Sequence, residues 1–264
     1  MSENDVRAIL KAVASNGLSV DEAEKRIASS NFHKLGEFAK LDMAREKRTG
    51  FPEVVFGASK TADEITAITE ALIKKTGRAF VTKISEKKAR AVMEATPGVD
   101  FTYNVRAQTL RSLPKPEKCS PSLKAAVVSG GTSDLAVVLE SKETLEFCGW
   151  KVLEFNDVGV AGLERLLKVC PKLNEVDVII AVAGMEGALP TVLAGLTATP
   201  IIAVPTSVGY GVSNEGLAAL HGMLASCAPG LSVVNIDNGF GAAVAAHRIL
   251  LGKLNMSILE THGR

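Results

Sequence analysis

Cysteine and histidine are scarce and scattered in this chain. Cys119, Cys148, Cys170 and Cys227 sit far apart with no C-x-x-C pair, so neither a disulfide framework nor a zinc site is expected. His33, His221, His247 and His262 show no ligand spacing, and no protein-bound transition metal is assigned. No apolar run approaches the roughly 18 residues of a membrane span. An excess of one charge is also missing: 30 basic and 29 acidic residues leave a net charge of +1. That balance argues against nucleic acid and membrane surfaces as partners. The opening residues, Met1 to Arg7, are polar and lack a signal-peptide core, so a cytoplasmic location is expected. The G-x-G-x-x-G fingerprint and the Walker A lysine are absent too, which makes a hydride-transferring dehydrogenase the least favoured enzyme reading.

What the chain does have is a large apolar fraction, 47% of 264 residues, enough for one large domain or two modest ones. Pro114, Pro116 and Pro121, interspersed with Lys115, Glu117 and Lys118, read as a linker. Two domains are therefore expected, 1–118 and 119–264. In the first, helical periodicity over 5–16 and 19–29 predicts a hairpin, with Asn16-Gly17 as a stop and Ser19 as an N-cap. Residues 41–48 read as a charged segment and 51–56 as a strand ended by Gly57. Thr61 to Glu64 form a capping box opening a helix to about Lys75. A strand over 79–84, a helix over 86–95 and a longer strand over 100–110 complete a small α/β module. The second domain alternates strands at 124–129, 151–155, 176–182, 200–204 and 231–236 with helices near 134–148, 160–170, 187–196, 213–226 and 239–252. Its strands are continuous apolar runs, as in a doubly wound parallel sheet covered on both faces.

Ligand chemistry in such sheets concentrates at the carboxyl ends of the strands. Ser129-Gly-Gly-Thr-Ser-Asp134 follows a strand and opens a helix. Its backbone N–H groups could meet an anion, or the segment could be a tight turn capped by Ser133 or Asp134. Ala183 to Pro190 places Glu186 between two glycines, where a carboxylate can move protons or cap the next helix. Cys227 lies near a helix C-terminus, whose partial negative charge disfavours a thiolate. It is either a small buried hydrophobe or a nucleophile activated by something cationic, such as a positively charged substrate ring. Cys119, Cys148 and Cys170 read as structural, and His221 as partly exposed. Arg45, Lys47 and Arg48 form a basic cluster, solvated or phosphate-binding. The Asn235 to Gly241 loop reads as a turn or as a polar loop approaching a ligand.

Taken together, these loops resemble two related families. The C-terminal half is similar to the N5-carboxyaminoimidazole ribonucleotide mutase (PurE) family in its Ser-Asp first loop, its Ala-Gly-x-x-Gly-Ala-x-Leu-Pro loop and its Pro-Val-type fourth loop. The whole chain resembles the pyridinium-3,5-biscarboxylic acid mononucleotide synthase (LarB) family more closely. The carrying segments are Gly50 to Gly57, Ser129 to Asp134, Asp157 to Gly162, Ala183 to Pro190, Val204 to Gly211, Ser226 to Gly230 and Asn235 to Gly241. The implied fold is α/β, a PurE-like doubly wound parallel sheet preceded by a small α/β module.

The LarB resemblance implies a carboxylase-hydrolase in nickel-pincer cofactor synthesis, serving lactate racemase. Such an enzyme carboxylates C5 of the pyridine ring of nicotinic acid adenine dinucleotide with CO2 or bicarbonate, and cleaves the phosphoanhydride to release AMP. Mg2+ assists, held mainly by substrate phosphates and water. The family's nucleophile falls on Cys227 and its loop glutamate on Glu186, the first choice as proton acceptor, with Asp134 second. The implied substrate-binding surface comprises Ser129, Gly130, Gly131, Thr132, Ser133, Gly184, Met185, Gly187, Ser207 and Asn238. Arg45, Arg48 and Arg106 are candidates for phosphates or the pyridine carboxylate. PurE-like likeness implies a homo-octamer. PurE enzymes carry a histidine after the second strand, where this chain has Asp157-Val-Gly-Val-Ala-Gly162, which puts aminoimidazole chemistry in doubt. That chemistry and a non-catalytic pyridine-dinucleotide sensor remain the alternatives.

Overall fold

The computed structural model describes residues 3–29, 32–112 and 122–262. The linker prolines, Cys119 and the expected boundary at 118/119 lie outside the described residues. Two short helices open the chain, α1 (Glu3–Ala14) and α2 (Val20–Ser29). Asn16, at φ +56, ends the first, and the Ser19 hydroxyl accepts from the Glu22 amide at 3.2 Å to start the second. An antiparallel pair follows, β1 (Phe32–Leu35) and β2 (Ala39–Asp42), then a one-turn helix α3 (Arg45–Thr49). The expected charged segment over 41–48 thus divides between strand and helix, with Gly36 at φ +51 supplying the hairpin turn.

The N-terminal module proper contains β3 (Val55–Phe56), α4 (Ala62–Thr76), β4 (Phe80–Thr82), α5 (Glu86–Ala95), β5 (Phe101–Asn104) and β6 (Thr109–Ser112). Its sheet has the order β3-β4-β6-β5. The capping box forms: Thr61 Oγ1 accepts from the Glu64 amide at 3.2 Å and Glu64 Oε2 from the Thr61 amide at 2.7 Å. Ile65, Ile68 and Leu72 recur at helical spacing and are buried against β3 and β4. Two sequence expectations need correction. Only Val55–Phe56 of the 51–56 segment pairs as a strand. The long strand over 100–110 is instead a hairpin, because Asn104 Oδ1 accepts from the Arg106 and Ala107 amides, each at 3.1 Å, and turns the chain.

The second domain runs β7 (Lys124–Ser129), α6 (Leu135–Phe147), β8 (Lys151–Phe155), α7 (Leu163–Leu173), β9 (Val178–Ala183), α8 (Ala188–Ala194), β10 (Ile201–Pro205), α9 (Leu217–Leu224), β11 (Leu231–Val233) and α10 (Gly239–His262). All five strands are parallel, in the order β8-β7-β9-β10-β11. Alternate residues of the apolar strands feed two cores. Ala125, Val127, Ile180 and Val204 pack with α6 and α10, while Ala126, Val128, Ile179 and Ala203 pack with α7, α8 and α9. Burial on both faces explains the unbroken apolar strand runs. The strand order reverses direction between β7 and β9, where the following helices leave on opposite faces and open a crevice.

The two parts meet along α6, whose Glu140, Glu143 and Glu146 form a stripe at i, i+3 and i+6. Fully buried Glu140 accepts from the Thr82 hydroxyl, and Glu143 accepts from Asn104 Nδ2 at 2.6 Å and Thr109 Oγ1 at 2.5 Å. Arg111 lies 3.5 Å from Glu146. Phe51 completes the seam by inserting edge-on against Phe240 and His247.

Candidate active site

The first loop at the crevice is built from small residues because the backbone approaches closely. A Cβ on Gly159, in the loop after β8, would stand 2.5 Å from the Gly130 carbonyl. The Gly159→Ala variant should therefore displace that loop, costing about 1–3 kcal/mol and weakening ligand binding. Denaturant melts and ligand titration check both effects.

Asp134 holds the loop shut from within. Its Oδ2 accepts from the Gly131 amide at 2.9 Å and its Oδ1 from the Thr206 hydroxyl at 2.7 Å. Only 4% of the residue is exposed. Burial raises its pKa above the ordinary carboxylate value; the bonds to Thr206 and Gly131 oppose the rise, and the nearby Asp237 charge adds to it. Asp134 is therefore a clasp that ties the first loop to the loop after β10.

The second loop, Ala183 to Pro190, bends sharply. Met185 is left-handed at φ +53, and Gly187 at φ +68 is the N-cap of α8. No side chain caps that helix, so Glu186 does not cap it; its carboxylate is exposed instead. Together the loops after β7, β8 and β9 enclose a cavity of about 400 Å³. Gly130, Gly131, Ser133 and Asp134 line one side, Gly184, Met185 and Glu186 the other. Gly159, Val160 and Val208 complete the rim. Among the described residues the lining holds two carboxylates and neither Lys nor Arg.

The remaining expected residues are distributed around this cleft. Ser129 is buried beneath it, its hydroxyl 3.2 Å from Asn156 Oδ1. Thr132 faces the N-terminal module, and its carbonyl accepts from Arg106 Nη2 at 3.5 Å. Gly187 packs against Ala219 of α9, where a Cβ would sit 2.9 Å from that residue's carbonyl. Ser207 is exposed and donates its amide to Asp237 Oδ1 at 2.9 Å. Asn238 caps α10 through the Gly241 amide at 2.7 Å. Arg45 and Arg48 belong to α3 and pair with Glu53 at 3.2 Å and Asp42 at 2.5 Å, outside the cleft lining.

Cys227 does not line the cleft. It is exposed in the turn between α9 and β11. Its neighbour Ser226 accepts from Thr191 Oγ1 at 2.9 Å, about one turn along α8 from the cleft-lining Ala188. Among the described residues no group of three His, Cys, Asp or Glu converges as a metal site. Sequence reasoning missed Lys83 and, within the loop it singled out over 235–241, the particular role of Asp237; the two stand at φ +53 and +55. No composition or spacing signal marks Lys83, whose partners lie in the other domain.

The two parts each match a known family. Residues 32–113 match the LarB/PurE-like N-terminal domain and residues 124–258 match AIR carboxylase. An uncharacterized protein of Methanocaldococcus jannaschii is 42% identical over 247 residues, covering 92% of this chain and 95% of its own length. The N5-carboxyaminoimidazole ribonucleotide mutase of the same organism is 36% identical over 129 residues, or 47% of this chain and 76% of that enzyme. The enzyme of that name from Pyrococcus abyssi is 34% identical over 137 residues, 48% of this chain and 73% of its own.

Proposed function

Because this chain belongs to the LarB family, with a LarB/PurE-like N-terminal domain preceding an AIR carboxylase domain, we propose that it carboxylates and cleaves nicotinic acid adenine dinucleotide. The family is of carboxylase type. The observation that supports the pyridine substrate is the charge of the cleft. Among the described residues, Asp134 and Glu186 line it without a basic side chain, a setting that favours a cationic ring. One carboxylate 5 Å from a pyridinium contributes about 3 kcal/mol at an effective dielectric of about 20, and less where it is exposed like Glu186. The anionic end of the substrate would face Arg106, which the N-terminal module brings to the first loop.

The chemistry needs a nucleophile because a pyridinium C5 cannot attack CO2. The Cys227 thiolate adds at C4, giving a dihydropyridine whose enamine makes C5 nucleophilic. C5 then bonds to CO2 and its proton passes to a base, Glu186 first and Asp134 second. Breaking the C4–S bond returns the electron pair to sulfur and restores the aromatic ring. In the phosphoanhydride step water bonds to one phosphorus as the bridging P–O bond breaks and AMP and the mononucleotide separate, which needs charge neutralisation above all. With no group of three His, Cys, Asp or Glu placed to hold a metal among the described residues, a Mg2+ would be carried mainly by the substrate's phosphates and water, and no protein step depends on it.

This reading requires thiol and cleft to meet, and one protomer leaves Cys227 outside the lining. The homo-octamer implied by family likeness is where they would meet. Exposed Tyr210, Val212, Leu217 and Leu224 offer apolar surface beside both. The test is mass spectrometry of products from nicotinic acid adenine dinucleotide, bicarbonate and Mg2+. AMP and a mononucleotide heavier than nicotinic acid mononucleotide by one carboxyl are expected. Turnover of aminoimidazole ribonucleotide instead would favour the mutase reading, which the similarity to the two mutases keeps open.

A further inference from the structure

Lys83 leaves β4 in a left-handed conformation, φ +53, that side-chain-bearing residues seldom adopt. Such strain persists only where the surroundings enforce it. Here the surroundings belong to the other domain. Lys83 Nζ lies 3.0 Å from Glu140 Oε2, an ion pair not aligned as a hydrogen bond, and donates to the Asp237 carbonyl at 3.1 Å. The first contact answers a structural need, because Glu140 is fully buried and an unpaired carboxylate there would be costly. The second reaches the backbone of the loop after β11. Asp237 is itself left-handed, and its Oδ1 accepts from the Ser207 amide at 2.9 Å. The adjoining Thr206 hydroxyl donates to Asp134, which holds Gly131. A contiguous run of bonds thus leads from the N-terminal module to the floor of the cleft.

We propose that Lys83 is a positioning residue of the cleft, fixing the loops after β10 and β11 from the N-terminal module. The proposal rests on the reading that this cleft is the dinucleotide site. Lys83 acts through Asp237 and Ser207, and Arg106 braces the first loop in parallel at the Thr132 carbonyl. The N-terminal module is then part of the site's framework. Removing the ammonium slackens the loops that receive substrate, so binding suffers more than turnover.

The experiment uses the full chain with Lys83→Gly and Glu140→Gln combined. Glycine accepts φ +53 without strain, and the glutamine amide removes the buried charge that Lys83 would leave unpaired. The double variant should melt within about 3 °C of wild type. Exchange of the Ser207 and Asp237 amides should accelerate about tenfold or more. KM for the dinucleotide should rise about tenfold while kcat stays within about threefold. Glu140→Gln alone, with Lys83 retained, should keep wild-type exchange at both amides. Exchange and KM within about twofold of wild type in the double variant would overturn the proposal. Absence of turnover in wild type would end the functional reading, and amide exchange would still decide the role of Lys83.

Discussion

Replacing Cys227 with serine should remove carboxylation while leaving the fold untouched. The nucleophile has no substitute in the proposed sequence of steps, so the carboxylated product should fall on the order of 10³-fold or more. Stability should change by no more than about 0.5 kcal/mol, since the side chain is exposed. The dinucleotide should still bind, because no cleft residue has changed. These are separable readouts: product mass, denaturant midpoint and ligand titration. Retained carboxylation would remove the thiol mechanism altogether. Mixing sharpens the geometry, because Cys227 lies outside the lining that contains Glu186. Cys227→Ser and Glu186→Gln chains, each inactive, refolded together in equal amounts should recover about one quarter of wild-type activity if different copies supply the two groups. Recovery near zero would place both groups in one copy.

Much of this site could be read without coordinates, for a physical reason. A parallel sheet buried on both faces writes itself as apolar runs, and β7 and β8 fall where those runs predict, at 124–129 and 151–155. The glycine loops at their carboxyl ends are equally legible, because only small residues allow backbones to pass as closely as Gly159 and Gly130 do. Glu186 and Asp134 follow from their loops, yet their environments do not. The sequence cannot tell that Asp134 is buried under Thr206 while Glu186 stands in solvent. Asn104 misled the strand assignment because an Asx turn depends on one side-chain bond that apolar periodicity does not register. Lys83 stayed invisible because its partners are 57 and 154 residues away. The glutamates of α6 would suit a solvated face by composition alone. The N-terminal module buries Glu140 and Glu143 and partly covers Glu146.

The same seam should make stability depend on pH through His247. The ring is 3% exposed and bonded at both nitrogens. Trp150 Nε1 donates to Nδ1 at 2.8 Å, and Nε2 stands 2.7 Å from the Gly50 carbonyl. An indole N–H can only donate and a carbonyl can only accept, which assigns the neutral tautomer with its proton on Nε2. A second proton would point at the Trp150 N–H. Burial lowers the His247 pKa from its ordinary value; the Gly50 carbonyl and Glu46 oppose the drop, and Arg248 and Arg78 add to it. The folded chain therefore binds fewer protons here than the unfolded chain, whose histidine titrates near 6.5. The stabilisation is present in full above that value and is lost as pH falls through the folded-state pKa. Asp134, whose pKa is raised, works in the opposite direction. The difference between wild type and His247→Ala isolates the histidine. At pH 7.5 that variant should lose about 3–5 kcal/mol, because the Trp150 N–H and Gly50 carbonyl lose their partner and a cavity opens. By pH 5.5 the gap should narrow as the wild type weakens and the variant does not. Urea midpoints at both pH values measure it, and a gap that stays constant would mean that His247 does not titrate across the seam.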